Sequence, residues 1–95
     1  MNSVIQNEHE CLVCRSPYVD EHHIFYGIRN RQKSEDMGYK VYLCRKHHNE
    51  VHAHPNHGLD LHLKILGQKH FEKTHTREDF IREFGESYIW RMEEE

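Results

Sequence analysis

The chain has 95 residues, of which 36% are hydrophobic and 31% are charged, and its formal net charge at pH 7 is -3. This length allows a single domain. Because the composition is this polar, it predicts a thin hydrophobic core, and we expect a metal, a disulfide or an oligomer interface to add stability. The sequence has no long apolar run and no signal-peptide pattern, which disfavours an integral membrane protein and a secreted one.

Local patterns predict a first half that contains β-structure. The predicted elements are, in chain order, a polar tail over residues 1–10, a tight turn at 11–14, a strand or hairpin edge over 18–26, a basic polar loop over 27–38, a second strand over 41–43 and a helix over 45–53. The first strand has β-forming residues around a polar histidine pair, and glycines bound the loop. Pro55 lies beyond the helix, which it cannot continue.

The second half predicts helices. Apolar residues predict a helix over 59–74, although the alternation at its start leaves a strand open. Thr76-Arg-Glu-Asp79 resembles a capping box, with Asp in place of the usual Glu or Gln. Apolar side chains at helical spacing from Phe80 to Ile89 then predict an amphipathic final helix, in which Gly85 is a weak point.

Three cysteines and eleven histidines are the unusual part of the composition, and three cysteines cannot all pair as disulfides. Cys11 and Cys14 form a Cys-x-x-Cys turn, and Cys44 and His47 lie three apart at a helix start, where they share a face. The 29 residues between the pairs have room for a strand, a loop and a strand, as in a treble clef. We therefore predict a structural Zn²⁺ that offsets the thin core; the alternative is free cysteine with incidental histidine. Other candidates for the fourth ligand are His9 and His48.

Further histidines predict a second metal site beside the first. His48 and His52 share a face of the predicted helix, and His48 lies about 100° around the axis from His47, so one helix can serve two metals. His22 and His23 point to opposite sides of an extended segment, so one could ligate the ion while the other faces a water. Imidazoles without thiolates suit a divalent ion with open positions, which is a catalytic arrangement. The alternative is histidines on a polar surface.

Basic residues are concentrated in the middle of the chain, where residues 22–48 contain six basic side chains and two acidic ones. This local excess is more informative than the negative total, because a nucleic acid meets one surface rather than the whole protein. Arg29, Arg31 and Lys33 are the candidates for phosphate contacts. The alternative is a solvated loop whose charges have no partner.

The chain resembles the HNH endonucleases, which carry a ββα-metal site in a treble-clef frame, over residues 11–54. The residues that carry the resemblance are Cys11-x-x-Cys14, then Asp20-Glu21-His22-His23, then Leu43-Cys44-x-x-His47-His48-x-x-x-His52. The stretch over 59–90 is similar to small phage and prophage HNH proteins, whose core is similar to the RecA-dependent phage recombination nuclease. The resemblance implies an α+β fold, a small treble-clef or ββα-metal HNH domain with a zinc knuckle over 11–54, followed by two C-terminal helices in an extension over 55–95.

The resemblance also implies roles for these residues. His23 takes the place of the general base. His22, His48 and His52 take the places that hold a catalytic divalent ion, Mg²⁺ or Mn²⁺, with Ni²⁺ or Zn²⁺ as substitutes in vitro. The zinc-knuckle places fall to Cys11, Cys14, Cys44 and His47.

Two positions depart from the family pattern. His47 stands where the family usually has a fourth cysteine, which zinc tolerates. Tyr39 falls where the family's middle asparagine is expected, the residue that fixes the loop holding the base. Asn30 could serve in its place, or Tyr39 itself could make the bond to orient His23. Glu21 or Asp20 could orient a histidine through its second ring nitrogen.

The implied function is metal-dependent hydrolysis of DNA phosphodiester bonds, by nicking or double-strand cleavage, in a phage or prophage protein of the bacterial cytoplasm. The implied partner is DNA, with a homodimer or phage recombination or packaging proteins as further partners and no membrane. The main alternative is a non-catalytic zinc-binding treble-clef module that binds DNA or a protein. A third interpretation is an inhibitor or recruitment factor that acts through its helical tail.

Overall fold

A short antiparallel hairpin and five helices make up the part of the chain that the structure describes. In this computed structural model, that part is residues 2–94, with side chains as far as residue 91. The strands are β1 (Val19–His23) and β2 (Lys40–Cys44). The helices are α1 (Asn30–Met37), α2 (Arg45–Ala53), α3 (Gly58–Phe71), α4 (Arg77–Phe84) and α5 (Ile89–Glu94). This is a small α+β architecture, as predicted.

The hairpin register decides which histidine of the pair is buried. His22 is opposite Val41 and His23 is opposite Lys40. Alternate residues of a strand point to opposite faces, and His22 is 3% exposed while His23 is only partly buried. The strand is shorter than the predicted 18–26. The Ile24 N–H still donates to the Tyr39 carbonyl at 2.9 Å, but the next N–H, that of Phe25, donates to Ser34 Oγ at 2.9 Å instead of to the partner strand.

Helix α1 corrects the predicted loop over 27–38. Its sequence is almost entirely polar, so it shows no apolar face that would reveal it. Ser34 is its one buried residue, and its hydroxyl donates to the Phe25 carbonyl at 2.8 Å. The helix ends at Gly38 in the left-handed region (φ 77°), where a Cβ would meet the Asn2 carbonyl oxygen at 2.5 Å. Tertiary contacts therefore stabilise a helix that no amphipathic pattern predicts.

Helix α2 follows β2 without an intervening loop, and its bounds agree with the predicted helix over 45–53. Cys44 is both the last residue of β2 and the N-cap of α2, with extended backbone. Helix α2 contacts both strands.

The C-terminal region contains three helices rather than the predicted two. Helix α3 confirms the helix predicted over 59–74, and the capping box is present, with Thr76 and Asp79 exchanging two bonds of 3.1 Å. The prediction of one continuous final helix was wrong. Gly85 takes a left-handed conformation (φ 98°) that ends α4, and the buried side chain of Gln68 accepts a bond from the Tyr88 N–H at 2.8 Å.

The hydrophobic core draws on both the 11–54 and the 55–95 regions. The ring of Phe25, which follows β1, lies 4.4 Å from Phe84 and 5.5 Å from Phe80 between ring centroids. Val41 and Leu43 of β2 are also buried in this cluster. The C-terminal helices thus complete the core beneath the hairpin. Among residues 2–94, no helix combines the length and apolar character needed to cross a membrane.

Candidate metal centres

The first centre, here called the thiolate cluster, consists of Cys11, Cys14, Cys44 and His47. Backbone bonds shape the turn that carries the first two cysteines: the Arg15 N–H donates to the Cys11 carbonyl at 2.9 Å, and Arg15 has a positive φ of 65°. The Leu12 N–H donates to the Tyr42 carbonyl at 2.9 Å, which ties the turn to β2. The turn and the junction of β2 with α2 therefore meet.

Distances within the thiolate cluster agree with a tetrahedral zinc site. Cys14 Sγ and Cys44 Sγ are 3.7 Å apart, and Cys11 Sγ is 3.5 Å from His47 Nδ1. Bonds of about 2.3 Å to sulfur and about 2.0 Å to nitrogen would set these separations near 3.8 and 3.5 Å in a tetrahedron. The Cys44 Sγ to His47 Nδ1 distance of 3.1 Å is somewhat shorter. All four ligand atoms lie within 4.8 Å of one another, so the cluster could hold a metal such as zinc.

The surroundings of the Cys11 thiol favour its ionised form. Its burial opposes ionisation, but the backbone N–H groups of Cys44, Cys14 and Val13 outweigh it and lower the pKa of Cys11 to about 6. A thiolate is the form that binds zinc. The alternative fourth ligands lie elsewhere: the His9 ring packs on Tyr42, with 4.4 Å between ring centroids, and His48 belongs to the second centre.

The second centre, here called the histidine cluster, consists of His22 from β1 and His48 and His52 from α2. The Nε2 atoms of His48 and His52 are 3.2 Å apart, one helical turn from each other. The ring of His22 lies 5.2 Å from that of His48 and 5.4 Å from that of His52. As predicted, consecutive His47 and His48 serve different clusters, because they diverge around the helix axis.

A buried atom without a partner indicates what the histidine cluster could hold. His22 Nε2 is buried and makes no hydrogen bond within the described chain. Burial, followed by the neighbouring His48 and His52, lowers the pKa of His22 to about 4, so its ring stays neutral at physiological pH. A buried nitrogen normally has a partner, and a neutral imidazole is the form that binds a metal. The three residues therefore fit a metal ion, and their ligand atoms lie within 4.8 Å of one another.

Residues around the histidine cluster position its rings. Asp20 Oδ2 lies 3.6 Å from His48 Nδ1, while Arg45 donates to the same oxygen at 3.3 Å. A carboxylate at the second nitrogen of a ligand histidine orients the ring and raises its basicity. This is the role that the sequence offered to Asp20 or Glu21, and the structure brings Asp20 to a metal-ligand candidate.

Tyr26 supports the other side of the same cluster, which the sequence did not predict. Its ring lies 5.5 Å from that of His52, and its hydroxyl donates to Asp60 Oδ2 at 3.1 Å. Asp60 is fully buried and is paired with Lys64 at 2.9 Å. The network ties α3 to the histidine cluster. No local motif could have revealed it, since Tyr26 and Asp60 are 34 residues apart along the chain.

His23 lies on the other face of β1, and its partners differ from those predicted. Its Nε2 is 3.0 Å from Glu35 Oε1 and 3.9 Å from Glu21 Oε1. Neither proposed substitute for the middle asparagine is bonded to His23: Asn30 donates to the Phe84 carbonyl, and the Tyr39 hydroxyl pairs with a different histidine. Both are engaged with the C-terminal helices. Glu35 was missed because its helix was predicted as a loop.

A cavity of about 240 Å³ brings the functional candidates together. It is lined by Glu21, His22, His23, Tyr26, Arg31, His48 and His52. One wall is thus the histidine cluster, another is the candidate base, and an exposed arginine borders the opening. The arrangement can hold a cation, a water and an anionic group within reach of one another.

The three basic candidates have different surroundings. Arg29 and Arg31 are exposed, and Arg31 lines the cavity. Lys33 instead pairs with the Glu83 carboxylate at 3.4 Å and also donates to the Glu83 carbonyl. Lys33 therefore links α1 to α4, and its ammonium is less free to contact a phosphate than the guanidinium of Arg31.

Comparison of the chain with protein-family models, with curated proteins and with solved structures finds no match.

Proposed function

We propose that this protein is an HNH-type endonuclease that hydrolyses DNA phosphodiester bonds with a divalent metal ion. The observation that carries the proposal is the shared cavity, in which three converging imidazoles, His23 and Arg31 line one space. Each has a distinct task in phosphodiester hydrolysis, namely metal binding, proton acceptance and phosphate contact.

The order of the elements supports an HNH fold. Two antiparallel strands run directly into a helix, and the residues that match the family's ligand positions lie on β1 and α2. In this proposal the thiolate cluster holds a structural Zn²⁺, and the zinc compensates for the small core. Helix α1 between the strands replaces the loop expected of the family pattern.

In the proposed reaction His22, His48 and His52 would hold the divalent ion, Mg²⁺ or Mn²⁺, through imidazole nitrogens. Such an ion supplies Lewis acidity, which neutralises charge on the phosphate and on the leaving oxygen. His23, as a neutral imidazole, accepts a proton from the attacking water. Arg31 contacts the phosphate, and Asp20 keeps the His48 ring in place.

The proposal is tested by incubating supercoiled plasmid with the zinc-loaded protein and Mg²⁺, Mn²⁺ or Ni²⁺. We expect nicked or linear DNA that accumulates with added metal, and that His23→Ala abolishes. A matched control is His62→Ala, which removes an exposed histidine from α3. Binding of one tightly held zinc and no second ion, with no cleavage in any metal, would instead favour a non-catalytic zinc module that binds DNA or a protein.

A further inference from the structure

Glu35 joins His23 to a partly buried ion pair with Lys40. One carboxylate oxygen, Oε1, lies 3.0 Å from His23 Nε2, and the other, Oε2, lies 2.8 Å from Lys40 Nζ. Lys40 is the residue opposite His23 in the hairpin register, and it is 8% exposed. Its ammonium also lies 3.3 Å from Glu21 Oε1. The two oxygens of Glu35 therefore have separate partners, one on each strand.

The carboxyl of Glu35 acts only as an acceptor at physiological pH. The hydrogen bond from the Lys40 ammonium holds the pKa of Glu35 well below its usual range, and the bond to His23 acts in the same direction. An ionised carboxylate has no hydrogen to donate. At 3.0 Å, the hydrogen of this bond must therefore belong to His23 Nε2.

This hydrogen bond selects a tautomer. A neutral imidazole carries one N–H and one lone pair, so a hydrogen on Nε2 leaves the lone pair on Nδ1. Within the described chain, Nδ1 of His23 makes no hydrogen bond and is not buried, so solvent reaches it. His23 itself lines the cavity beside the histidine cluster.

We propose that Glu35 is the positioning residue of the active site, and that it makes Nδ1 of His23 the atom that accepts the proton. This inference rests on the proposed function. In the step, one O–H bond of water breaks and its proton joins Nδ1. The water oxygen bonds to phosphorus, and the phosphorus–oxygen bond to the leaving group breaks, with its electron pair going to the leaving oxygen, which takes a proton from solvent. The carboxylate of Glu35 then faces the imidazolium and stabilises its charge, as an acidic residue does for a catalytic histidine.

Lys40 makes Glu35→Gln a sharp test. The single amide oxygen of the glutamine would be held by the Lys40 ammonium, which can only donate. The amide NH₂ would then face His23 Nε2 and donate to it, which moves the ring hydrogen to Nδ1 and leaves that atom without the lone pair that accepts a proton. A merely structural Glu35 would tolerate this nearly isosteric change. We expect kcat to fall about a hundredfold or more, while KM and DNA affinity change less than about twofold. The melting temperature should fall by only about 2–3 °C, the scale of one lost partly exposed contact.

Asp36→Asn is the matched control, because it removes the same charge from the next residue of α1, an exposed side chain whose carboxylate accepts a hydrogen bond from Gln32 at 2.9 Å. We expect it to cleave at the wild-type rate. Glu35→Gln that cleaves as fast as Asp36→Asn would overturn the positioning role.

The tautomer is read directly from long-range ¹H–¹⁵N NMR spectra of the zinc-loaded chain without DNA. We expect the hydrogen of His23 on Nε2 in the wild type and on Nδ1 in Glu35→Gln. A wild-type hydrogen on Nδ1 would overturn the inference, whether or not the protein cleaves DNA. Absence of cleavage by the wild type, with the hydrogen on Nε2, would overturn the proposed nuclease instead, and with it the catalytic part of the inference.

Discussion

The thiolate cluster and the histidine cluster share helix α2, but they differ in the number of candidate ligands and in their access to the cavity. Each draws on α2 and on a residue of the two strands, yet only the histidine cluster lines the cavity. The thiolate cluster has four protein ligands, which is the number that closes a tetrahedral zinc site. The histidine cluster has three, and it leaves coordination positions for water or substrate.

Under the proposed function, this difference would let one short helix contribute to both stability and chemistry. His47 and His48 are neighbours in sequence, and the rotation of about 100° per residue sends one ring to each cluster. The residues of the closed cluster come from two separate parts of the chain, the turn at Cys11 and Cys14 and the junction of β2 with α2, so a metal there would join them. The open cluster relies on the protein for its shape, through Asp20 and Tyr26.

The largest expected effect comes from opening the closed cluster. Cys14→Ser should release zinc and unfold the chain, because structural zinc contributes about 10–16 kcal/mol in small zinc domains while a whole domain is stable by only about 5–15 kcal/mol. Zinc content and thermal melting measure the outcome. His9→Ala should keep both, since His9 packs on Tyr42 instead. A Cys14→Ser protein with unchanged melting would contradict a stabilising metal.

Replacing each of the two histidines of β1 should impair cleavage in a different way. His23→Ala should lower turnover by about 10²–10⁴-fold while metal and DNA affinity stay unchanged, because only the proton acceptor is lost. His22→Ala should weaken the exchangeable ion and regain activity as metal concentration rises. Cleavage rates across a metal titration distinguish the two. Rescue of His23→Ala by metal would reverse the assigned roles.

A smaller effect is expected from the carboxylate beside His48. Asp20→Asn should weaken metal binding at the histidine cluster by about 10–100-fold, as changes behind a ligand histidine do, and should leave zinc in place. Calorimetric titration of the zinc-loaded protein with Mn²⁺ gives the affinity. Glu50→Gln, which removes the same charge from an exposed position on α2, is the control. Equal affinities for the two variants would show that Asp20 does not support the open cluster.

The smallest effect concerns the basic residues beside the cavity. Arg31→Ala should weaken DNA binding across sequences and reduce its salt slope by about 1, the change expected for one lost phosphate contact. Lys33→Ala should leave the slope unchanged, because its ammonium is paired with Glu83. Fluorescence anisotropy with labelled DNA at several salt concentrations measures both. Equal slopes for the two variants would remove Arg31 from the DNA-binding surface.

The spacing of ligands along single elements could be predicted from the sequence. Cys11 and Cys14 share a turn, and His48 and His52 share a helix face, so their convergence follows from local geometry. The capping box at Thr76 is local in the same sense. These features agree with the structure because few residues separate the groups involved.

Contacts between distant segments could not be predicted in this way. Helix α1 is polar, and it is held by Ser34 and by tertiary contacts, so no periodic pattern marks it. The break at Gly85 depends on Gln68, which captures the backbone of the segment that follows. A side chain that satisfies a distant backbone group leaves no signal in local sequence.

The sequence by itself determined the candidate ligands, the order of the elements that carry most of them and the side of α2 on which each histidine lies. The tertiary structure alone decided which groups surround those ligands. It brought Glu35 to His23, Asp60 to Tyr26 and Glu83 to Lys33. The physical reason is that ligand spacing follows from the periodicity of one backbone element, whereas a hydrogen-bond partner depends on how separate elements pack.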